Sequence, residues 1–127
     1  MRRRKEIATK YNEYLKDIDG IILPYQEEFS KSAWHLYVIQ LELEKFKVGR
    51  REIFEALRAE NIGVNVHYIP VYYHPYYNRL GYEKGLCPNA EKLYERIITL
   101  PLYPKMKDKD IEDVVDALDK VLKYYRR

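Results

Sequence analysis

The sequence predicts an α+β fold: a two-layer sandwich in which a small sheet is covered by helices. Amphipathic stretches with helical spacing alternate along the chain with short apolar runs that suit strands, and prolines and glycines mark most of the boundaries. At 127 residues the chain has the length of one domain. Such a chain buries about two-thirds of its unfolded surface, which is enough for a single core.

The first predicted helix covers residues 2–18, where Tyr11 and Leu15 share an apolar face and Gly20 follows as the C′ residue. Its first turn, residues 2–5, places four cations at the positive end of the helix dipole, and no capping residue precedes them. We interpret it as part of a longer helix, which would make the chain a fragment of a larger protein. The alternative is a frayed basic N-terminus on a complete protein.

Two strands and a helix are predicted in the middle of the chain. Residues 35–43 are apolar on much of both faces, which is typical of a buried strand. Residues 50–61 have helical spacing, and Gly63 ends that helix. Residues 64–68 alternate as a second strand, with one face carrying Val64, Val66 and Tyr68 and the other Asn65 and His67.

The C-terminal third predicts a helix, an extended segment and a last helix. Pro88 opens the first of these helices, whose inner face is formed by Ala90, Leu93, Tyr94 and Ile97. Residues 99–104 contain two prolines and predict an extended segment that adds a short edge strand. The last helix is capped by Asp108 and has acidic residues near its start and basic residues near its end.

Residues 67–77 are the most distinctive segment, since five of the eleven are tyrosine. Pro70 and Pro75 prevent a continuous helix, so the segment is predicted to be a loop that leaves a strand. So many rings must cover the domain's own core, another protein surface or a ligand. For His67 two interpretations remain: a hydrogen-bonded residue at a strand end, or a cleft residue suited to anion contact or proton handling.

Composition argues against several functional classes. A net charge of +3 is too small to indicate nucleic-acid binding, although tyrosines among basic residues leave base stacking as a minor alternative. No apolar run has the length of a membrane span, and the single cysteine, Cys87, excludes an internal disulfide, so we expect a cytoplasmic protein. The sequence has no glycine-rich phosphate loop, and His35, His67 and His74 lack metal-ligand spacing.

Five short motifs together resemble one enzyme family. They are Ser32-Ala33-Trp34-His35-Leu36-Tyr37, the run from Asn61 to Val71, Pro75-Tyr76-Tyr77, Ala90-Glu91, and Leu100-Pro101-Leu102-Tyr103-Pro104. The set resembles the C-terminal part of the DegT/DnrJ/EryC1/StrS nucleotide-sugar aminotransferases, which are fold-type I enzymes that use pyridoxal 5'-phosphate. The resemblance covers essentially the whole chain and is closest to enzymes that aminate C4 of a UDP-linked 4-keto-6-deoxy-N-acetylhexosamine.

The resemblance implies that residues 1–127 are a C-terminal small domain with a mostly antiparallel sheet. Residues 1–19 would then be the second half of an interdomain helix. The Schiff-base lysine and the other groups that hold the cofactor belong to a large domain that is absent here, so no catalytic, cofactor-binding or metal residue is assigned. The complete enzyme would be a homodimer that transfers an amino group from glutamate to a nucleotide-sugar, for surface or spore-coat polysaccharides.

The resemblance also indicates which residues face the substrate. His67 and Tyr68 are the first candidates for nucleotide-sugar binding, with Tyr72 and Tyr73 behind them. A different class of function stays open: a stand-alone interaction or oligomerisation module that uses the tyrosine-rich segment 67–77 to contact a protein partner. The family interpretation implies exposed apolar surface where the large domain is missing.

Overall fold

The computed structural model describes residues 1–127 and confirms the α+β class with a small antiparallel sheet. The five helices are α1 (Arg2–Leu15), α2 (Arg50–Ala59), α3 (Pro75–Arg79), α4 (Pro88–Arg96) and α5 (Asp108–Tyr125). The three strands are β1 (Ile21–Ile22), β2 (Tyr37–Leu41) and β3 (Ile97–Leu100), paired in the order β1-β2-β3. None of the helices combines the length and the hydropathy that a membrane crossing requires.

The register of β2 and β3 gives the sheet two different faces. Tyr37 lies opposite Leu100 and Ile39 opposite Ile98, and these side chains are buried in one core together with those of α1, α2 and α5. Because side chains alternate along a strand, the residues between them point to the other face. That outer face carries Val38, Gln40, Ile97 and Thr99.

Helix α1 is held to the sheet and to α5 by polar contacts as well as by its apolar face. The Tyr11 hydroxyl donates to the Pro101 carbonyl at 2.6 Å. Lys10 and Arg3 both contact the Asp108 carboxylate, at 2.6 and 3.0 Å, and these bonds lower the pKa of Asp108. Helix α1 ends at Leu15, so Gly20 is not its C′ residue as predicted.

Gly20 instead allows the chain to turn into β1. Its φ is +95°, in the left-handed region that glycine tolerates, and a Cβ at this position would overlap the Phe46 ring. Phe46 is fully buried and pairs with Arg126 through an isolated bridge at the C-terminus. The close approach of Gly20 and Phe46 therefore joins the start of the sheet to the end of the chain.

The predicted strand at residues 64–68 is wrong. The segment forms one isolated bridge, in which Asn65 and Thr99 exchange both backbone hydrogen bonds at 3.1 and 2.7 Å. The Asn65 side chain then accepts from the Val66 N–H at 2.8 Å, which withdraws that donor from a longer ladder. The alternation itself holds for two residues, since Val64 lies in the core and His67 on the outer face, whereas Tyr68 is exposed.

Three predictions for the C-terminal third also need correction: the inner face of α4, the position of the edge strand and the cap of α5. Helix α4 begins at Pro88 as predicted, but none of its residues is buried, and its predicted inner residue Leu93 is 44% exposed. The edge strand lies at 97–100 rather than 99–104. Asp108 is the first residue of α5 rather than its cap, and the Asp110 carboxylate accepts from the Lys107 N–H at 2.8 Å.

Replacing Gly20 with alanine should destabilise the 127-residue chain by about 1–3 kcal/mol, because it combines a positive φ with overlap against Phe46. The matched control is Gly63→Ala, since a Cβ at residue 63 would have no atom within 4 Å and the φ of Gly63 is not positive. The control should change the free energy of unfolding by less than about 0.5 kcal/mol. Urea denaturation measures both, and equal effects would contradict the role of Gly20.

Candidate functional site

His67 is attached to the outer face of the sheet. Its Nδ1 lies 3.0 Å from the Thr99 hydroxyl on β3, and the contact is partly buried. The peptide bond between His67 and Tyr68 is cis. The Nε2 atom of His67 makes no hydrogen bond within the chain. The structure thus supports the hydrogen-bonded interpretation of His67, and it leaves the second ring nitrogen available to a ligand.

Tyr68 lies beside His67 and points largely into solvent. The two rings meet edge to face with their centroids 4.6 Å apart, and the Tyr68 residue is 67% exposed. Its hydroxyl has no partner in the chain. His67 and Tyr68 therefore form a pair in which one nitrogen and one phenol are free for hydrogen bonding. The contact of His67 with Thr99 attaches this pair to β3.

Tyr72 and Tyr73 form a second pair, with ring centroids 5.2 Å apart. The Tyr73 hydroxyl donates to Glu91 Oε1 at 2.8 Å, and the Tyr72 hydroxyl accepts from the Cys87 N–H at 3.2 Å. Desolvation and the Glu91 carboxylate raise the pKa of Tyr73 to about 12, because both disfavour the phenolate. The second pair is thus linked to α4, whereas the first is linked to β3.

Glu91 is a residue of this region whose contacts sequence reasoning missed. Besides the Tyr73 hydroxyl, its two carboxylate oxygens accept the Gly85 N–H at 2.8 and 2.9 Å. These bonds from Gly85 and Tyr73 lower the pKa of Glu91, because they favour the ionised carboxylate. The Ala90-Glu91 motif marked the position in the sequence, but its partners are six and eighteen residues away and leave no periodic signal.

Helix α4 is itself fastened to α2. The Arg50 guanidinium lies 4.6 Å from the centroid of the Tyr94 ring and donates a hydrogen bond to the Tyr94 carbonyl. Tyr73 packs edge to face on the same ring, with a centroid separation of 6.1 Å. The ammonium of Lys84 lies 5.0 Å from the centroid of the Tyr73 ring. The contact of Arg50 with the Tyr94 ring therefore joins α4 to α2, and the Tyr73 ring packs on the same tyrosine.

The tyrosine-rich segment does not cover the domain's own core. No residue from Asn65 to Arg96 is buried. Nine large apolar side chains between 68 and 93 are instead exposed, namely those of Tyr68, Ile69, Val71, Tyr76, Tyr77, Leu80, Tyr82, Leu86 and Leu93. We call this surface, residues 65–96, the ring face. Of the three interpretations offered by the sequence, the structure leaves a protein surface and a ligand.

A cavity lies away from the ring face. It has a volume of about 750 Å³ and is lined by residues of α5 and of the segment that follows α2. Its charges are largely paired within the chain, as between Lys120 and Glu60 at 2.7 Å. None of the four predicted site residues lines it.

Two charged groups of the ring face, Glu91 and Lys84, are not free to hold pyridoxal phosphate. This cofactor requires a lysine amine, a carboxylate for its ring nitrogen and a phosphate cradle. The Glu91 carboxylate is occupied by Gly85 and Tyr73, and the Lys84 ammonium lies over a ring. No group of three or more His, Cys, Asp or Glu side chains could hold a metal ion either.

Comparison with known proteins identifies the family. The model of the DegT/DnrJ/EryC1/StrS aminotransferase family matches residues 1–119. This chain belongs to that family. The match covers the tyrosine-rich segment, helix α4 and most of α5, so the resemblance inferred from the short motifs is confirmed.

The similar proteins are about three times as long as this chain. The chain is 44% identical over 124 residues to SpsC of Bacillus subtilis, a spore coat polysaccharide biosynthesis protein. This match covers 96% of this chain and 32% of SpsC. PseC of Helicobacter pylori, an aminotransferase of pseudoaminic acid biosynthesis, superposes with a TM-score of 0.89 at 26% identity over 98% of this chain and 33% of PseC. The PLP-form of Spr1654 from Streptococcus pneumoniae superposes with a TM-score of 0.86 at 28% identity, over 97% of this chain and 31% of Spr1654.

The exposed ring face predicts that the 127-residue chain self-associates as its concentration rises. Lysines at Val71 and Tyr76, which are 61% and 60% exposed, should lower the apparent mass toward that of a monomer. Lysines at Tyr25 and Phe29 are the matched control, because these residues are 80% and 88% exposed but lie outside the ring face. Light scattering at two concentrations measures this, and a wild-type monomer at both would contradict it.

Proposed function

We propose that residues 1–127 are the C-terminal small domain of a pyridoxal-phosphate-dependent aminotransferase. The complete enzyme would transfer an amino group from glutamate to a nucleotide-linked keto-sugar, in surface or spore-coat polysaccharide biosynthesis. The observation that carries the proposal is the family match over residues 1–119, by a chain that covers about a third of its relatives. Residues 1–19, which contain α1, would belong to a helix shared with the preceding domain.

The substrate class is supported by one relative that is similar in sequence and one that is similar in structure. SpsC is named for spore coat polysaccharide biosynthesis, and PseC for an aminotransferase step in making pseudoaminic acid. The first name points to a polysaccharide and the second to amino-group transfer. A nucleotide-linked keto-sugar supplies the carbonyl that receives the amino group, and glutamate is the amino donor that we propose.

The cofactor would be held outside this chain. Spr1654 superposes in its PLP-form, whereas Glu91 and Lys84 of this chain already contact Gly85 and Tyr73. When bound, pyridoxal phosphate supplies the electron sink for amino-group transfer. We further propose that the complete enzyme is a homodimer and that the ring face meets protein in that assembly.

The contribution of this chain would be to bind and orient the nucleotide-sugar. His67 Nε2 and the Tyr68 hydroxyl are unpaired, and the Thr99 contact fixes the imidazole on a strand. A side chain held on a strand keeps its geometry better than one on a mobile loop. The Tyr73 hydroxyl donates to Glu91, so Tyr73 would present ring surface to the substrate. The Tyr72 hydroxyl accepts from the Cys87 N–H and would keep its own proton for a substrate oxygen.

A second candidate function is a stand-alone interaction module. The ring face favours it, because nine large exposed apolar side chains within one segment suit a protein interface. In that case the chain would need no cofactor and no nucleotide-sugar. The two functions differ in what the complete gene product contains.

The decisive test uses the complete protein, with whatever precedes these residues in its gene. We expect it to show the visible absorbance of lysine-bound pyridoxal phosphate and to aminate a nucleotide-linked keto-sugar in a glutamate-dependent manner. The 127-residue chain alone should do neither. A complete protein without the absorbance band would rule out the aminotransferase and favour the interaction module.

In the complete enzyme, His67→Ala and Tyr68→Phe should each raise KM for the nucleotide-sugar by about tenfold to a hundredfold, as expected for lost hydrogen bonds to a charged substrate. KM for glutamate should not change. His74→Ala is the matched control, because His74 is exposed in the same segment and makes no side-chain hydrogen bond. Steady-state kinetics with each substrate varied decide the matter, and a control equal to His67→Ala would remove His67 from the site.

A further inference from the structure

The ring face lacks buried side chains, so something other than apolar packing must fix its conformation. Two parts of the ring face, Val71–Tyr73 and residues 83–87, meet at α4. The Glu91 carboxylate accepts three hydrogen bonds there, two from the Gly85 N–H and one from the Tyr73 hydroxyl. The Tyr72 hydroxyl adds a bond from the Cys87 N–H. Both parts of the ring face are therefore hydrogen-bonded to the Glu91 side chain.

A carboxylate suits this position better than any other group. It offers two acceptor oxygens, and the Gly85 N–H uses both while the Tyr73 hydroxyl shares one. An amide would keep one acceptor oxygen, and alanine would keep none. Gly85 has a φ of +96°, so the turn that presents its N–H also depends on glycine.

The connection continues from Glu91 to the core. One turn further along α4, the Tyr94 ring contacts Tyr73 on one side and the Arg50 guanidinium on another. Arg50 is the first residue of α2, whose Ile53 and Leu57 are fully buried. A continuous set of contacts therefore runs from α2, which is anchored in the core, through α4 to Tyr73.

From these contacts we propose that Glu91 is a positioning residue that holds the tyrosine-rich segment in the conformation that binds the nucleotide-sugar. It acts through Tyr73 and Gly85 and does not touch the substrate. The proposal rests on the proposed function for its substrate. The hydrogen bonds of Glu91 with Tyr73 and Gly85, which we call the fastening, are a property of this chain. Loss of Glu91 should free residues 71–87 and weaken sugar binding while the reacting groups elsewhere stay in place.

The fastening is tested first on the 127-residue chain by hydrogen exchange. Glu91→Ala should speed exchange at residues 71–74 and 85–87 by about tenfold, because local opening no longer breaks these hydrogen bonds. Glu91→Gln should give an intermediate rate. Glu95→Ala is the matched control, since Glu95 is exposed on the same helix and its side chain makes no hydrogen bond. Equal rates in Glu91→Ala and Glu95→Ala would overturn the proposal.

If Glu91→Ala also speeds exchange in β2, the whole chain has been destabilised and a milder variant decides. Tyr73→Phe removes one hydrogen bond to Glu91 and keeps the ring against Tyr94. It should speed exchange at residues 71–74 and leave β2 unchanged. An unchanged rate at residues 71–74 would count against the fastening.

The functional arm uses the complete enzyme. Glu91→Ala should raise KM for the nucleotide-sugar about tenfold, with kcat and KM for glutamate within about twofold of wild type, and Glu91→Gln should recover part of the loss. An active wild type with an unchanged KM in Glu91→Ala overturns the role of Glu91 alone. A wild type with no aminotransferase activity defeats the proposed function, and the role in sugar binding with it, whatever the exchange rates show.

Discussion

The pairing register between β2 and β3 is the constraint on which the rest of the structure depends. It sends Tyr37, Ile39, Ile98 and Leu100 into one core under α1, α2 and α5, and it sends Thr99 to the opposite face. A slip of one residue would exchange the two faces, turning Tyr37, Ile39, Ile98 and Leu100 away from the core and moving the Thr99 hydroxyl away from His67. The same register therefore builds the core and provides the anchor for His67.

The core and the ring face are stabilised by different interactions. The core face gathers twenty-one buried residues into a single cluster, so its stability comes from apolar burial. On the ring face, a few hydrogen bonds, ring contacts and cations over rings hold residues 65–96 in place. Segments with little apolar burial open at lower free energy than the core, which suits a surface that must adapt to a substrate or a partner.

This division agrees with family membership. The chain covers about a third of its relatives. It encloses a core of its own, and it leaves the large apolar side chains of residues 68–93 exposed. The ring face is the uncovered one, and it carries all four residues that the resemblance assigns to substrate binding. In the proposed enzyme, substrate contacts and contacts with protein would then lie side by side on one surface.

The sequence by itself determined the elements whose signals are periodic or local. The apolar spacing of α2 and α5 and the proline at the start of α4 predicted these helices to within a few residues, and the concentration of tyrosine located the ring face. The short motifs also sufficed for the family. These features could be predicted because helical spacing, proline geometry and composition act within a few residues of chain.

Only the tertiary structure decided how those pieces are used. It showed that Asn65 closes a single bridge because its own side chain takes the next N–H, and that α4 lies outside the core despite its apolar residues. It also gave Glu91 its partners and left Tyr68 exposed. Contacts between residues that are far apart in the chain depend on how the elements pack, and packing leaves no spacing that can be recognised in one sequence.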